Sequence, residues 1–269
     1  MLATLSGISA VALYFLGTWF QAQRIFQDRN TRNTRTLVLS FGGLALIAHL
    51  INMIEVISTP LGYNFGLFKI ATLFSFAISS LVILSSLKKP LENLFLIIFP
   101  LAIISILCSL IIPSSYIPQS DYSGGLALHI VLAILATSII TIGAVQAVFM
   151  AYENQQLKQR HGFRLIKHMP ALQTMESLLF EIIWVGIFLL SGVIVTGVLF
   201  TEDFLGQHLS HKTVLSISSW IVFAILLWGR HFAGWRGATA IRWTLVGFLF
   251  LVLAYFGSKF VLELILERT

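Results

Sequence analysis

Two histidines stand inside long apolar runs of the chain. His49 lies in LIAHLINMIE, and His129 lies in GGLALHIVLA. A polar side chain is costly at membrane depth, so it usually faces the interior of a helix bundle and finds a partner there. Imidazole can meet that need by hydrogen bonding, and it is also the commonest metal ligand among side chains. These two residues are therefore the first candidates for a functional site.

Both histidines are predicted to lie in the outer leaflet. His49 is about eight residues from the outer end of its run, or roughly 12 Å, and His129 is about five residues in, or roughly 7–8 Å. Two imidazoles at similar depth on facing helices can bind one haem iron from opposite sides, and the apolar bundle supplies the pocket. The alternative is that each histidine only bonds a neighbouring helix, for example through Asn52, Glu55 or a backbone carbonyl.

A second histidine pair, His208 and His211, forms an H-x-x-H in a polar segment that also holds two acidic residues. This pattern could ligate a metal, although H-x-x-H in a loop is a weak signal for a metal site. The other interpretation is a polar helix start, which Ser210 could cap. The remaining histidines stand beside Lys or Arg and are expected to contact solvent or lipid headgroups: His161, His168 and His231.

The composition indicates that lipid is the solvent for much of the surface. Hydrophobic residues make up 57% of the 269 residues and charged residues only 10%, whereas soluble domains carry about 25% charged residues. The net charge of +6 is spread between apolar runs rather than gathered in one patch, so the bilayer and not nucleic acid is the expected partner. The single cysteine, Cys108, excludes a disulfide or a CxxC pair within the chain.

Eight apolar runs are long enough to cross a bilayer, which takes about 20 residues. They predict an all-α, polytopic membrane helix bundle that forms one transmembrane domain over residues 1–269, with nothing to divide it in two. The fifth and eighth runs exceed the bilayer thickness and should tilt or project. The predicted helices cover residues 3–22, 37–57, 66–87, 91–112, 124–151, 178–200, 212–229 and 239–265.

The charges between these runs set the expected orientation. Loops rich in Lys and Arg alternate along the chain with loops that hold few basic residues. Loops of the first kind face the cytoplasm in membrane proteins. No Lys or Arg precedes the first run, which is typical of a retained span whose N-terminus is outside. The pattern therefore predicts a multi-pass membrane protein with both termini outside. The expected location is the bacterial inner membrane. Of the 17 basic residues, those left on the outer side are Lys69, Lys212, Lys259 and Arg268.

Several stretches in the second half carry a family resemblance. They are LALHIVLAILA at 126–136, MESLLFEIIWVGIFLLSGVIVTGVLF at 175–200, SISSWIVFAILLWGRH at 216–231, GWRG at 234–237 and AYFG at 254–257. In order and spacing they resemble the cytochrome c assembly protein family of haem-handling membrane proteins, the CcsA, CcmC and HemX relatives. The resemblance is greatest to the small YpjD/HemX-like branch. It covers residues from about 40 to 265, and the first helix matches only as an apolar span.

The resemblance implies roles for the two intramembrane histidines. In the family, a histidine that opens the helix of the LxxHV type lies at the outer face and ligates haem, a role that carries over to His129. His49 resembles a membrane histidine in an LHL-like context. The implied cofactor is non-covalent haem b with bis-histidine ligation, and the implied function is haem handling or cytochrome c maturation.

The departures from the family limit that function. Cytochrome c synthases carry a tryptophan-rich WWD motif before the helix that starts here near residue 212, where this chain reads FTEDFLGQHLSHKT. A second outer histidine after the last helix is also missing, and His208 or His211 is the weaker candidate for replacing it. The expectation is therefore an accessory that is not an enzyme, with haem and membrane or maturation proteins as partners. The alternatives are a scaffold of the same fold that has lost haem and, last, a transporter of another solute.

Overall fold

A computed structural model describes most of the chain. The residues described are 1–27, 32–60, 62–113, 116–117, 124–159, 169–200, 210–257 and 260. Within these ranges, eight helices are long and apolar enough to cross a membrane. The prediction of an all-α membrane bundle with eight spans is therefore confirmed.

Shorter elements accompany some of the eight helices. A 3-10 turn, Glu92–Leu94, precedes the fourth helix, and a π turn, Leu253–Gly257, continues the eighth. A two-stranded antiparallel ladder joins β1, Ser58–Thr59, to β2, Gly62–Tyr63. The helices are α1 Leu2–Phe26, α2 Arg32–Ile57, α3 Leu67–Ser86, α4 Phe95–Ile111, α5 Gly124–Gln159, α6 Leu172–Phe200, α7 Ser210–Phe232 and α8 Gly237–Val252.

Several helices extend beyond the predicted apolar runs. Helix α5 has 36 residues, or about 54 Å of helix, so it exceeds a bilayer core of roughly 30 Å as its run predicted. Helix α6 begins at Leu172, six residues before the predicted start at 178 and shortly after Pro170. Once a helix is nucleated, each further residue adds a hydrogen bond at small cost, so polar turns at the membrane surface continue it.

The described helices group into two compact units. Among the described residues, the first unit comprises those of 1–117 together with 159 and 169–170. In it, α1 packs against α2 and α4, and α3 packs against the same two helices. Gly17 of α1 leaves space for the Phe99 ring of α4, since a Cβ there would come within 2.9 Å of it. Small residues thus let these helices approach closely.

The second unit comprises Ser120–Lys158 and Ala171–Arg268. Helix α7 packs against α6 and α8. Two polar contacts tie it to its neighbours: Trp220 Nε1 donates to Ser191 Oγ at 2.8 Å, and Ser219 Oγ donates to the Gly247 carbonyl at 2.8 Å. Such interhelical bonds satisfy polar groups in a medium that offers no water. A single transmembrane domain for the whole chain stays a prediction.

Candidate functional site

His49 lies in the core of the first unit, on α2. Its side chain is 0% exposed, and so is that of Tyr14 on α1. The phenol oxygen of Tyr14 lies 3.2 Å from His49 Nδ1. The rings of Tyr14 and Phe76 both meet the imidazole edge to face, with centroids 5.7 Å and 5.5 Å away. An aromatic cage therefore fixes the imidazole between α1 and α3.

The second ring nitrogen of His49 has a different environment. Nε2 is buried and makes no hydrogen bond of ordinary geometry within the described ranges, although the Thr72 main chain is a hydrogen-bonding neighbour of the ring. If Nδ1–H donates to the Tyr14 oxygen, Nε2 carries a lone pair and is ready to ligate a metal. Ser79 lies beside the Tyr14 hydroxyl and can accept a hydrogen bond from it in that arrangement. A buried polar atom without a partner costs about 1–3 kcal/mol of folding free energy. A metal ion bound at Nε2 would offset this cost.

Two of the alternative partners named from the sequence, Asn52 and Glu55, do not bond His49, whereas a backbone carbonyl, the third alternative, is a partner of His129. Asn52 Nδ2 instead donates to the Ala3 carbonyl at 2.7 Å and ties α2 to α1. Glu55 is exposed. The partner is Tyr14, which the sequence analysis missed. The sequence places this tyrosine in the middle of the first apolar run, away from the membrane interfaces where tyrosine is usually found. That position could have indicated a buried polar contact.

His129 lies in the second unit, on α5, and is half-buried. Its Nδ1 lies 3.1 Å from the Val193 carbonyl and 3.1 Å from Thr196 Oγ1, both on α6. A carbonyl only accepts, so Nδ1 must carry the proton to bond with Val193. That tautomer leaves a lone pair on Nε2, which has no hydrogen bond to any described residue. This is the second-shell arrangement that orients histidine ligands of metals.

The remaining candidates are less defined. His49 and His129 belong to different compact units, and each is described within its own unit. His211 is exposed in the first turn of α7, whereas His208 lies outside the described residues, so a metal at H-x-x-H stays a prediction. In the part of the chain that the structure describes, no three or more His, Cys, Asp or Glu side chains gather into a metal site.

A second polar cluster, around Glu176, was not predicted from the sequence. Glu176 of α6 is 6% exposed and accepts three bonds: from Arg230 Nη1 at 2.8 Å, Arg236 Nε at 2.8 Å and the Gly237 backbone N–H at 2.9 Å. Arg230 also lies over the Phe180 ring, 4.5 Å from its centroid. These bonds link α6 to the end of α7 and the start of α8.

Glycines form a tight turn beside this cluster. Gly234 and Gly237 have φ of 65° and 51°, a region that residues with a Cβ rarely adopt. Gly229 packs directly under the Trp235 ring, where a Cβ would clash. The GWRG stretch at 234–237 is therefore a turn held by Glu176, and its role is structural.

Comparisons with known proteins place this geometry in context. The model of the family described as Cytochrome C assembly protein matches residues 37–266. The chain is 29% identical over 234 residues to Inner membrane protein YpjD of Escherichia coli (strain K12), covering 86% of this chain and 88% of that protein. It is 23% identical over 131 residues to Protein HemX of Brevibacillus brevis, covering 48% of each. No solved structure matches.

Proposed function

Because the chain belongs to the Cytochrome C assembly protein family, we propose that it binds haem and acts in haem handling or cytochrome c maturation. It would do so as an accessory, without synthase activity. His49 and His129 are the proposed ligands of the iron, and non-covalent haem b is the proposed cofactor. The chain is a multi-pass protein of the inner membrane, consistent with the relative named Inner membrane protein YpjD.

The unpartnered Nε2 of His49 carries this proposal. A buried imidazole nitrogen without a bond is unusual, because buried polar groups are nearly always satisfied. His129 supports it independently, since its Nδ1 bond to Val193 leaves Nε2 as the free nitrogen. Both residues thus offer the donor type that haem iron takes as an axial ligand. Haem bound there would supply an iron centre, and the protein's part is to orient the imidazoles and exclude water.

The accessory role rests on the segment before α7. It reads FTEDFLGQHLSHKT and holds none of the tryptophans that cytochrome c synthases of the family carry there. Without those aromatic side chains, the chain has no platform of that kind for presenting haem to an apocytochrome. The proposed partners are therefore haem itself and other membrane or maturation proteins that receive it.

Absorption spectroscopy tests the proposal. The protein purified in detergent and reconstituted with haem should show a Soret band of a bis-histidine complex. The His49→Ala, His129→Ala double variant should lose that band. His231→Ala is the matched control, because His231 is an exposed histidine at the end of α7, and it should leave the band unchanged. If the wild-type chain fails to bind haem, the proposal is wrong and the scaffold function is supported instead.

A further inference from the structure

A groove opens between α5 and α8 in the second unit, with a volume of about 300 Å³. On α5 it is lined by residues spaced three, four and seven apart, and on α8 by residues spaced three and four apart. Such spacings put side chains on one face of a helix. The lining residues are Ala151, Asn154, Gln155, Lys158, Ala238, Ile241 and Arg242.

The chemistry of this lining suits a phosphate group. Lys158 and Arg242 supply two positive charges, and neither makes an ion pair with any residue that the structure describes. Asn154 and Gln155 add amide N–H donors between them. No acidic side chain lines the groove. Arg and Lys are the usual partners of phosphate oxygens, because their N–H donors carry charge.

A nearby acid lies off this face. Glu153 precedes Asn154 by one residue, so it projects about 100° away around the helix. Its side chain is 3% exposed and does not line the groove. The two cations therefore set the charge of the groove.

The depth of the groove matches a lipid headgroup. Lys158 is next to the last residue of α5, and Arg242 is in the second turn of α8, which starts at Gly237. Trp235 and Trp243 stack at that end of α8, with ring centroids 5.3 Å apart. Tryptophans of this kind mark the membrane interface, and the basic residues predict the cytoplasmic side.

The apolar part of the groove lining favours a lipid over a free anion. Ala151, Ala238 and Ile241 give it an apolar wall beside the charges. An acyl chain can lie along that wall, whereas a soluble phosphate gains nothing from it. From these features we propose that the groove binds the phosphodiester headgroup of an anionic phospholipid from the inner leaflet. Basic pockets between helices on this side of membranes are known to take such headgroups.

Native mass spectrometry of the detergent-purified protein tests this site. Phosphatidylglycerol should bind more tightly than phosphatidylcholine of the same acyl chains. The Lys158→Ala, Arg242→Ala double variant should bind phosphatidylglycerol on the order of 30-fold more weakly, about fivefold for each cation. Lys88→Ala, Lys89→Ala removes the same charge elsewhere on the predicted inner side and should leave binding unchanged.

A second variant separates the groove from simple charge attraction. Ala238→Trp fills the groove and keeps both cations, so it should also abolish the preference for phosphatidylglycerol. Unchanged phosphatidylglycerol binding in Ala238→Trp overturns the proposal, and so does equal loss in the Lys88, Lys89 control. Inorganic phosphate should not displace the lipid at millimolar concentration. If it does, the site is one for soluble phosphate and the lipid assignment fails.

Discussion

His49 and His129 show two ways of holding a histidine inside a membrane protein. His49 is fully enclosed, and its Nδ1 meets a phenol that can either donate or accept. His129 is half-buried, and its Nδ1 meets a backbone carbonyl that only accepts. The carbonyl therefore dictates the tautomer of His129, whereas the tautomer of His49 depends on which way the Tyr14 hydroxyl points.

The two units also differ in how their charged groups are placed. In the second unit, the Glu176 side chain is 8% exposed and pairs with two arginines, whose side chains are 32% and 57% exposed. In the first unit, the Glu92 side chain is 16% exposed and pairs at 2.7 Å with Arg35, which is 44% exposed. A carboxylate that accepts several bonds in a buried position depends on its partners more than one with a single, partly exposed partner does. The comparison indicates an ionic anchor in the second unit and an aromatic and hydrogen-bonded one in the first.

The largest expected difference concerns access to the two proposed ligands. His49→Gly and His129→Gly should each lose most of the bound haem. Added imidazole should restore the Soret band in His129→Gly, because that side chain is partly exposed, and should restore it less in His49→Gly, because that side chain is fully buried. Titration of imidazole into both variants, followed by absorption, gives the answer. Equal rescue of both would remove the distinction between a closed and an open histidine.

Removing Glu176 or Glu92 should lower the free energy of unfolding by different amounts. Glu176→Ala leaves Arg230, Arg236 and the Gly237 N–H without their acceptor, so unfolding in detergent should become easier by about 3 kcal/mol. Glu92→Ala breaks one ion pair, whose arginine is 44% exposed, and should cost less than about 1 kcal/mol. Denaturant or thermal unfolding of the two variants measures both effects. Similar losses in the two units would contradict the contrast between a carboxylate with three bonds and one with a single ion pair.

A smaller effect is expected at the phenol. Tyr14→Phe keeps the ring packing but removes the only described side-chain partner of His49 Nδ1. The apoprotein should lose about 1–2 kcal/mol of stability, since a buried nitrogen is left unpaired. In the haem-loaded protein, the same change should shift the reduction potential, because the bond that orients the ligand is gone. A variant with wild-type stability and potential would show that Tyr14 only fills space.

The smallest effect is expected at the hydroxyl beside His129. Thr196→Val removes one partner of Nδ1, but the Val193 carbonyl remains at 3.1 Å. Because that bond already fixes the tautomer, stability should change by less than about 0.5 kcal/mol. The haem spectrum should stay as in the parent. A loss as large as that of Tyr14→Phe would mean that the hydroxyl, and not the carbonyl, holds His129.

Parts of this architecture were readable from local patterns. Apolar length predicted the eight spans, since each must satisfy its own backbone bonds within the bilayer. Glycines near the end of α7 are typical of a tight turn, and Gly234 and Gly237 adopt positive φ there. His49 and His129 stood out because polar residues at membrane depth need partners. In each of these cases the signal lies within a few consecutive residues.

The pairing of side chains was not readable in the same way. Tyr14 meets His49 across 35 positions, and Glu176 meets Arg230 across 54. Lipid and the protein interior are both apolar, so the hydropathy of an apolar helix does not show which of its faces packs against other helices. The rotation of each helix about its axis, and hence the partner of each polar group, is left open by the pattern.

The chain itself determined the spans, the small set of polar residues within them and the basic residues predicted to face inward, because these depend on local hydropathy and charge. Only the tertiary structure decided which groups meet Nδ1 of each histidine. It also decided that Glu176 holds the GWRG turn and that Lys158 and Arg242 share a groove. These relations depend on which helix faces meet, and packing among apolar surfaces settles that globally.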